Sequence, residues 1–207
     1  MSSIIELHSY RDLPEPPTLV LVDMQRENLA SSRMLSIPDT MAAIANCRLA
    51  LGHARANGFP VAFVRWIARP ADEALPPVLP KWIEGFEPTG ADMVFDREKP
   101  SCYASRPFGS VISDNGGRFV LAGFSGEAAC LSTAVDAFHR GHRMQYLADA
   151  SASHALDDMS ASDIHRTVSR IVDIYADTIP TRTWLALSSR RSNLRSIRYE
   201  RFRHEQA

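Results

Sequence analysis

"RFVLAGFSGEAACLSTAVDAFHRGHRMQYLAD", residues 118–149, decides the fold. After its arginine, "RFVLAGF" is a short unbroken apolar run without alternation, the pattern of a strand covered on both faces. A helix is predicted from about Glu127 to Gly141, with the glycine as its C-terminal stop, and "MQYLAD" follows as another apolar strand. Strands joined through a helix lie parallel, because only parallel neighbours need so long a crossover.

The same alternation extends outward in both directions. "PTLVLVDMQ" (17–25) reads as a buried strand ending in Asp23 and Gln25. "IPDTMAAIANCRLALGHARANG" (37–58) carries Ile37, Met41, Ile44, Ala45, Leu49 and Leu51 at roughly helical spacing and closes on Gly58, before the strand "PVAFVRW" (60–66). "DMVFDREKPSCYASRPF" (92–108) contains a short strand running into a polar turn at Lys99, ahead of a helix over Phe108–Asp114. "SASDIHRTVSRIV" (160–172) reads as a helix and "DIYADTI" (173–179) as a strand. Residues 68–92, rich in proline and acids around Trp82 and Phe86, are expected to form a long excursion over the sheet edge. The expected fold is α/β: a three-layer arrangement with a central parallel sheet of about six strands and helices on both faces. Residues 1–180 form the expected domain and residues 181–207 an Arg-rich helical tail.

A chain of 207 residues with 45% hydrophobic and 23% charged residues is an ordinary globular protein, without an apolar run of membrane-spanning length. A formal net charge of -1 supplies no overall field for nucleic acid or an anionic membrane. The tail "RRSNLRSIRYERFRHEQA" is basic, and its interleaved Leu194, Ile197 and Phe202 point to a helix lying on the domain or on another subunit rather than to nucleic-acid binding. The acidic start, with Glu6 and Asp12, argues against a secretory signal. Cys47, Cys102 and Cys130 lack the spacing of a disulfide framework or a zinc site, so a reducing cytoplasm is the expected location and neither a catalytic metal nor a cofactor is expected.

In a parallel sheet the ligand sits beyond the carboxyl ends of the strands, where Asp23, Lys99 and the segment Ser125–Cys130 fall. Burial would raise the pKa of Asp23 and a lysine arriving from another strand end would lower it, forming a pair able to hold or release a proton. The bland alternative is an ion pair that only closes the strand ends. Gln25 suits loop bracing or substrate contact, and Glu127, in the first turn of a helix, suits capping or substrate contact. Cys102 lies close enough to Lys99 in sequence to be a secondary nucleophile candidate, and the scattered histidines show no metal-ligand spacing.

"LVLVDMQ", the lysine in "DREKPSCYAS", "LAGFSGEAACLSTAVDAF" and "LADASASH" together resemble the isochorismatase-like hydrolase superfamily, from Thr18 to Pro180. The resemblance implies the six-stranded parallel fold, a small-molecule substrate and a homo-oligomer. Most members are cysteine hydrolases in which an aspartate deprotonates a thiol, a lysine supports the charge, and backbone N–H groups hold the oxyanion. In their pattern the cysteine stands six residues after the strand-ending glycine and four before the Thr-Ala pair; from Gly123 and from Thr133 both counts reach Ala129. One step along a helix turns a side chain by about 100°, so Cys130 is expected to face the packed layers. The pattern is most similar to isochorismatases and their phenazine-pathway relatives, which lack the thiol: the aspartate protonates a vinyl-ether carbon and water captures the cation. Carried over by position, Asp23 is the acid, Lys99 its tuning partner, and Gln25, Trp66, Ser125, Gly126, Glu127 and Ala129 form the substrate site. Ser125 stands where that subgroup has tyrosine and Trp66 where it has glutamine; Trp66, with the excursion around Trp82 and Phe86, suggests a partly apolar or aromatic pocket wall. Two readings compete with this metal-free hydrolase: a cysteine amidohydrolase using Cys130, and a degenerate member that binds without turnover.

Overall fold

The computed structural model describes residues 16–29, 40–67 and 79–189. Six parallel strands form one sheet: β1 (Thr18–Val22), β2 (Val61–Trp66), β3 (Met93–Arg97), β4 (Arg118–Phe124), β5 (Arg143–Ala152) and β6 (Asp177–Ile179), in the order β3-β2-β1-β4-β5-β6. Among the described residues, α1 (Thr40–Ala56), α2 (Arg106–Asp114), α3 (Leu131–His139) and α4 (Ala161–Val172) connect or cover them, and a fifth helical segment follows at 181–189. The expected three-layer α/β fold with six parallel strands is what the chain adopts.

Strand β1 shows why the layers form. All five of its residues are buried: Leu19 and Leu21 point into a core shared with α1, Phe63 and Trp184, while Val20 and Val22 point into a second core with Phe108 and Ile112 of α2 and Ala134 and Ala137 of α3. Alternation along a strand sends successive side chains to opposite faces, so an unbroken apolar run needs helices on both. Each fully buried Leu, Val or Phe side chain contributes roughly 1.5–3 kcal/mol, which makes this central strand the anchor of the sheet. The helical segment 181–189 adds Trp184 to the first core, edge-on to His53 and Phe59. The remainder of the Arg-rich tail, like the N-terminal acids at 6 and 12, lies outside the described residues. None of the helices among the described residues is long and apolar enough to cross a membrane.

Three local departures from the sequence expectation have visible causes. Strand β5 runs on through Asp149 to Ala152, and its register with β4 shifts between Leu121 and Gly123, so that buried but polar Ser151 belongs to the strand although it interrupts the apolar run. Strand β6 is shorter than its sequence suggests because Tyr175 and Ala176 give their N–H groups to the Val172 carbonyl at the end of α4. The segment Gly126–Cys130 is a single wide turn in which the Cys130 N–H reaches back five residues to the Ser125 carbonyl at 3.0 Å, and the α-helix starts only at Leu131. Such wide turns recur at functional sites.

From the central pair β1 and β4 the chain winds outward in opposite directions, to β2 and β3 on one side and β5 and β6 on the other. The connections leaving β1 and β4 therefore part company, opening a crevice at the carboxyl ends of these two strands. Gly123 lets the two backbones approach: its φ is +114°, and a Cβ there would sit 2.1 Å from the Val22 carbonyl oxygen.

Candidate active site

Asp23 leaves β1 in a left-handed conformation, φ 49°, which bends the chain across the crevice. Its own N–H still donates to the Val64 carbonyl at 2.8 Å, so the residue is fixed to β2 while its side chain turns into the opening. Oδ1 accepts the Trp66 N–H at 2.9 Å, and Oδ2 accepts a hydrogen bond from Nη2 of Arg97. Gln25 braces the same bend: its Nε2 donates to the Trp66 carbonyl at 2.9 Å and its Oε1 accepts the Trp66 N–H at 3.1 Å. This is the loop-bracing role, and Gln25 also faces the cavity.

The cation beside Asp23 is Arg97, which corrects the expectation for Lys99. Arg97 ends β3 in phase with buried Phe95 and is 2% exposed, whereas the chain bends immediately afterwards and leaves Lys99 on the surface. Lys99 enters the site only through its backbone: its carbonyl accepts Nη1 of Arg97 at 2.7 Å. The Arg97 guanidinium also lies 5.1 Å from the centre of the Trp66 ring, which shields it from water on that side. Burial pushes the Asp23 carboxyl up to about 7, against the opposing pull of Arg97 and of the Trp66 N–H. A carboxyl with that value exchanges a proton near neutral pH, the property an acid or base in catalysis requires.

Asp23 opens onto a cavity of about 440 Å³. Of the positions expected to touch substrate, Gln25, Trp66, Ser125 and Ala129 lie in its wall. Gly126 stands behind the wall, against Ser153, whose hydroxyl would be 2.7 Å from any Cβ there. Glu127 is held behind His154, its Oε1 2.6 Å from His154 Nδ1. Burial works to raise the Glu127 carboxyl, but the bonds from His154, its own N–H and Ser125 outweigh it and keep the group below its usual value, hence ionised.

Ala129 and Cys130 face different ways. Ala129 contributes to the cavity wall, while Cys130 is fully buried in the second core, its sulfur 3.8 Å from the Gly123 carbonyl and 3.7 Å from the Ser151 hydroxyl. Burial raises the Cys130 thiol well above its ordinary value, which disfavours the thiolate. Cys102 is equally enclosed, with its thiol pushed up to about 12 by burial, which disfavours its thiolate as well. Among the described residues no three His, Cys, Asp or Glu side chains gather as a metal-binding group.

Arg97, Glu27 and His154 also line the cavity and were missed in the sequence. Arg97 was legible from its phase with Phe95 in "MVFDR", and His154 from its place just beyond a strand's carboxyl end in "LADASASH". Glu27 lies in the short 3-10 turn Arg26–Leu29, for which the sequence carries no signal.

Residues 17–175 match the family model described as the isochorismatase domain. Solved structures with a similar fold include an isochorismatase from Pseudomonas putida, 23% identical, covering 88% of this chain and 99% of that one with a TM-score of 0.72. A cysteine hydrolase from Pseudomonas syringae pv. phaseolicola is 21% identical over 85% of this chain and 92% of its own, TM-score 0.74. N-carbamoylsarcosine amidase from Thermoplasma acidophilum is 22% identical over 80% and 96%, TM-score 0.65. At these identities the likeness is one of fold. No curated protein matches the sequence significantly.

Proposed function

The chain belongs to the isochorismatase family of hydrolases, and from that premise we propose that it hydrolyses a small polar metabolite with Asp23 as proton donor and water as nucleophile, without thiol attack. Protonated Asp23 gives its proton to the substrate. The carboxylate left behind is stabilised by Arg97 and the Trp66 N–H, which are already in hydrogen-bonding position and need no reorganisation. Water adds to the cationic carbon so formed, loses a proton, and the adduct breaks into two products; the proton released restores Asp23. Arg97 takes the tuning role expected of Lys99, and Ala129 leaves room for the substrate where relatives with a nucleophilic cysteine have a thiol.

One observation carries this reading: the group facing the cavity alongside Asp23 is the methyl of Ala129, and the neighbouring thiol is buried on the other side of the turn. The reading that uses Cys130 as nucleophile draws no support from a sulfur engaged by Gly123 and Ser151. The test is hydrolysis of a panel of vinyl ethers, esters and amides by the wild type, by Asp23→Asn and by iodoacetamide-treated protein. Turnover abolished by Asp23→Asn and untouched by iodoacetamide is the expected result. Turnover abolished by iodoacetamide would overturn the mechanism, and wild-type rates no greater than those of Asp23→Asn would leave a binding protein. The proposal includes a homo-oligomer, for which Phe138 and Ile174 offer exposed apolar surface; light scattering measures the assembly.

A further inference from the structure

The charges around the cavity do not cancel. At pH values where Asp23 is ionised, it and Arg97 neutralise each other, and Arg97 has its two terminal nitrogens committed to Asp23 and to the Lys99 carbonyl. The Nε–H of Arg97 is buried without a partner, but while Asp23 is ionised the charge of the group is already matched, so a neutral acceptor satisfies it. Glu127 is ionised and engaged by His154 through Oε1; its Oε2 is also buried without a hydrogen-bond partner, but the residue stands outside the cavity wall. Glu27 differs in its position. It lines the cavity, its Oε2 is buried from solvent, and that oxygen accepts no hydrogen bond. No cation among the described lining residues is placed to answer it.

A carboxylate oxygen withdrawn from water without a donor is costly, and a ligand that brings the donor recovers that cost. The wall of the cavity is mostly apolar, with Trp66, Pro80, Pro100 and Ala128 contributing. We propose that the cavity takes a small organic cation, an ammonium or amidinium group on a compact apolar frame, with Glu27 as the specificity-determining residue that accepts hydrogen bonds from its nitrogen. While Asp23 is ionised, an anionic ligand meets the opposite situation: Arg97, the guanidinium among the described lining residues, is already paired, and Glu27 repels it. This inference names the substrate class for the hydrolytic cavity and rests on the reading that hydrolysis occurs there.

Three probes of nearly the same shape separate the charges: benzylammonium, benzyl alcohol and benzoate. None contains a bond the enzyme is proposed to cleave, so their binding can fail while hydrolysis stands, and the reverse. Dissociation constants are read at pH 8, where Asp23 is mostly ionised, from the indole N–H signal of Trp66 in the full chain. Benzylammonium is expected to bind about tenfold more tightly than benzyl alcohol, the order of one charge-assisted hydrogen bond, with benzoate weakest. Glu27→Gln is expected to bring benzylammonium level with benzyl alcohol, and added salt to weaken the cation alone in the wild type. Benzoate binding as tightly as benzylammonium, an unchanged cation-to-alcohol ratio in Glu27→Gln, or binding of none of the three would each overturn the proposal.

Discussion

Replacing Arg97 by leucine tests the pairing on which the site depends. The substitution removes the only guanidinium among the described residues within hydrogen-bonding reach of Asp23 and leaves a carboxyl that is 9% exposed with the Trp66 N–H as its remaining charge-stabilising partner. Breaking one side of a buried pair costs about 3–5 kcal/mol when the other charge must stay buried. Here that cost depends on pH. The Asp23 carboxyl is raised from 3.8 to about 7 in the folded protein, so the extra proton held by the folded state contributes stability below pH 4 that is lost as pH rises through about 7. In wild type the loss ends there, because the ionised carboxylate meets Arg97. In Arg97→Leu the folded value moves higher still, and the loss continues above pH 7 at about 1.4 kcal/mol per pH unit until the new value is reached. Urea unfolding of both proteins at pH 6, 7, 8 and 9 gives the difference directly. The gap should be smallest at pH 6 and widen by up to about 2.7 kcal/mol between pH 7 and pH 9, two pH units at about 1.4 kcal/mol each. Adding Asp23→Asn to Arg97→Leu should abolish the widening, because the titrating group is gone. A gap of constant size from pH 6 to 9 would show that Arg97 supports the fold by contact alone and does not govern the proton on Asp23.

With Asp23 as proton donor, kcat should fall tenfold per pH unit above about 7 on the best hydrolysable substrate, and Asp23→Asn should lower it by about 10²–10⁴-fold. Wild-type protein should resist iodoacetamide in the folded state, since all three cysteines are buried, whereas Ala129→Cys should alkylate rapidly, with mass spectrometry locating the label in the peptide containing residue 129. Cys130→Ala should keep full turnover and lose about 1 kcal/mol of stability, the order for deleting one buried heavy atom. Gly123→Ala should cost more than about 3 kcal/mol or prevent folding, because its Cβ collides with the Val22 backbone at a φ unsuited to alanine; thermal denaturation measures it.

The strands and their parallel order were legible because β1, β2 and β4 carry unbroken apolar runs at 19–22, 61–64 and 119–124, with polar residues only toward their ends. Asp23 was legible for the same reason: it is the first charged residue after such a run, and the sheet geometry puts that position at the ligand-binding edge. Its cation was not. The choice between Arg97 and Lys99 depends on where β3 stops alternating, and a strand flanked by charges on both sides hides its own end. Ala129 reaches the cavity wall while Cys130 does not, and the turn carrying them is wider than an α-helix, a feature of backbone hydrogen bonding that side-chain identity does not announce. Glu27 joins Asp23 locally, through the short 3-10 turn that follows it, whereas His154 reaches the cavity from just beyond the end of β5 only through tertiary folding.

The divergence of the chain at β1 and β4 has a consequence for how the protein could be taken apart. Asp23 and Arg97 belong to the half that builds β1, β2 and β3; Ser125, Ala129 and His154 belong to the half that builds β4, β5 and β6. Neither half owns the cavity, and the seam between them combines the five-residue ladder Thr18–Val22 against Phe119–Gly123 with the packing of α1 on β5, where Asn46 and Cys47 donate to the Asp149 and Ala150 carbonyls. Two separately expressed fragments would each be inert, and recovered turnover on mixing them would report reassembly of that seam.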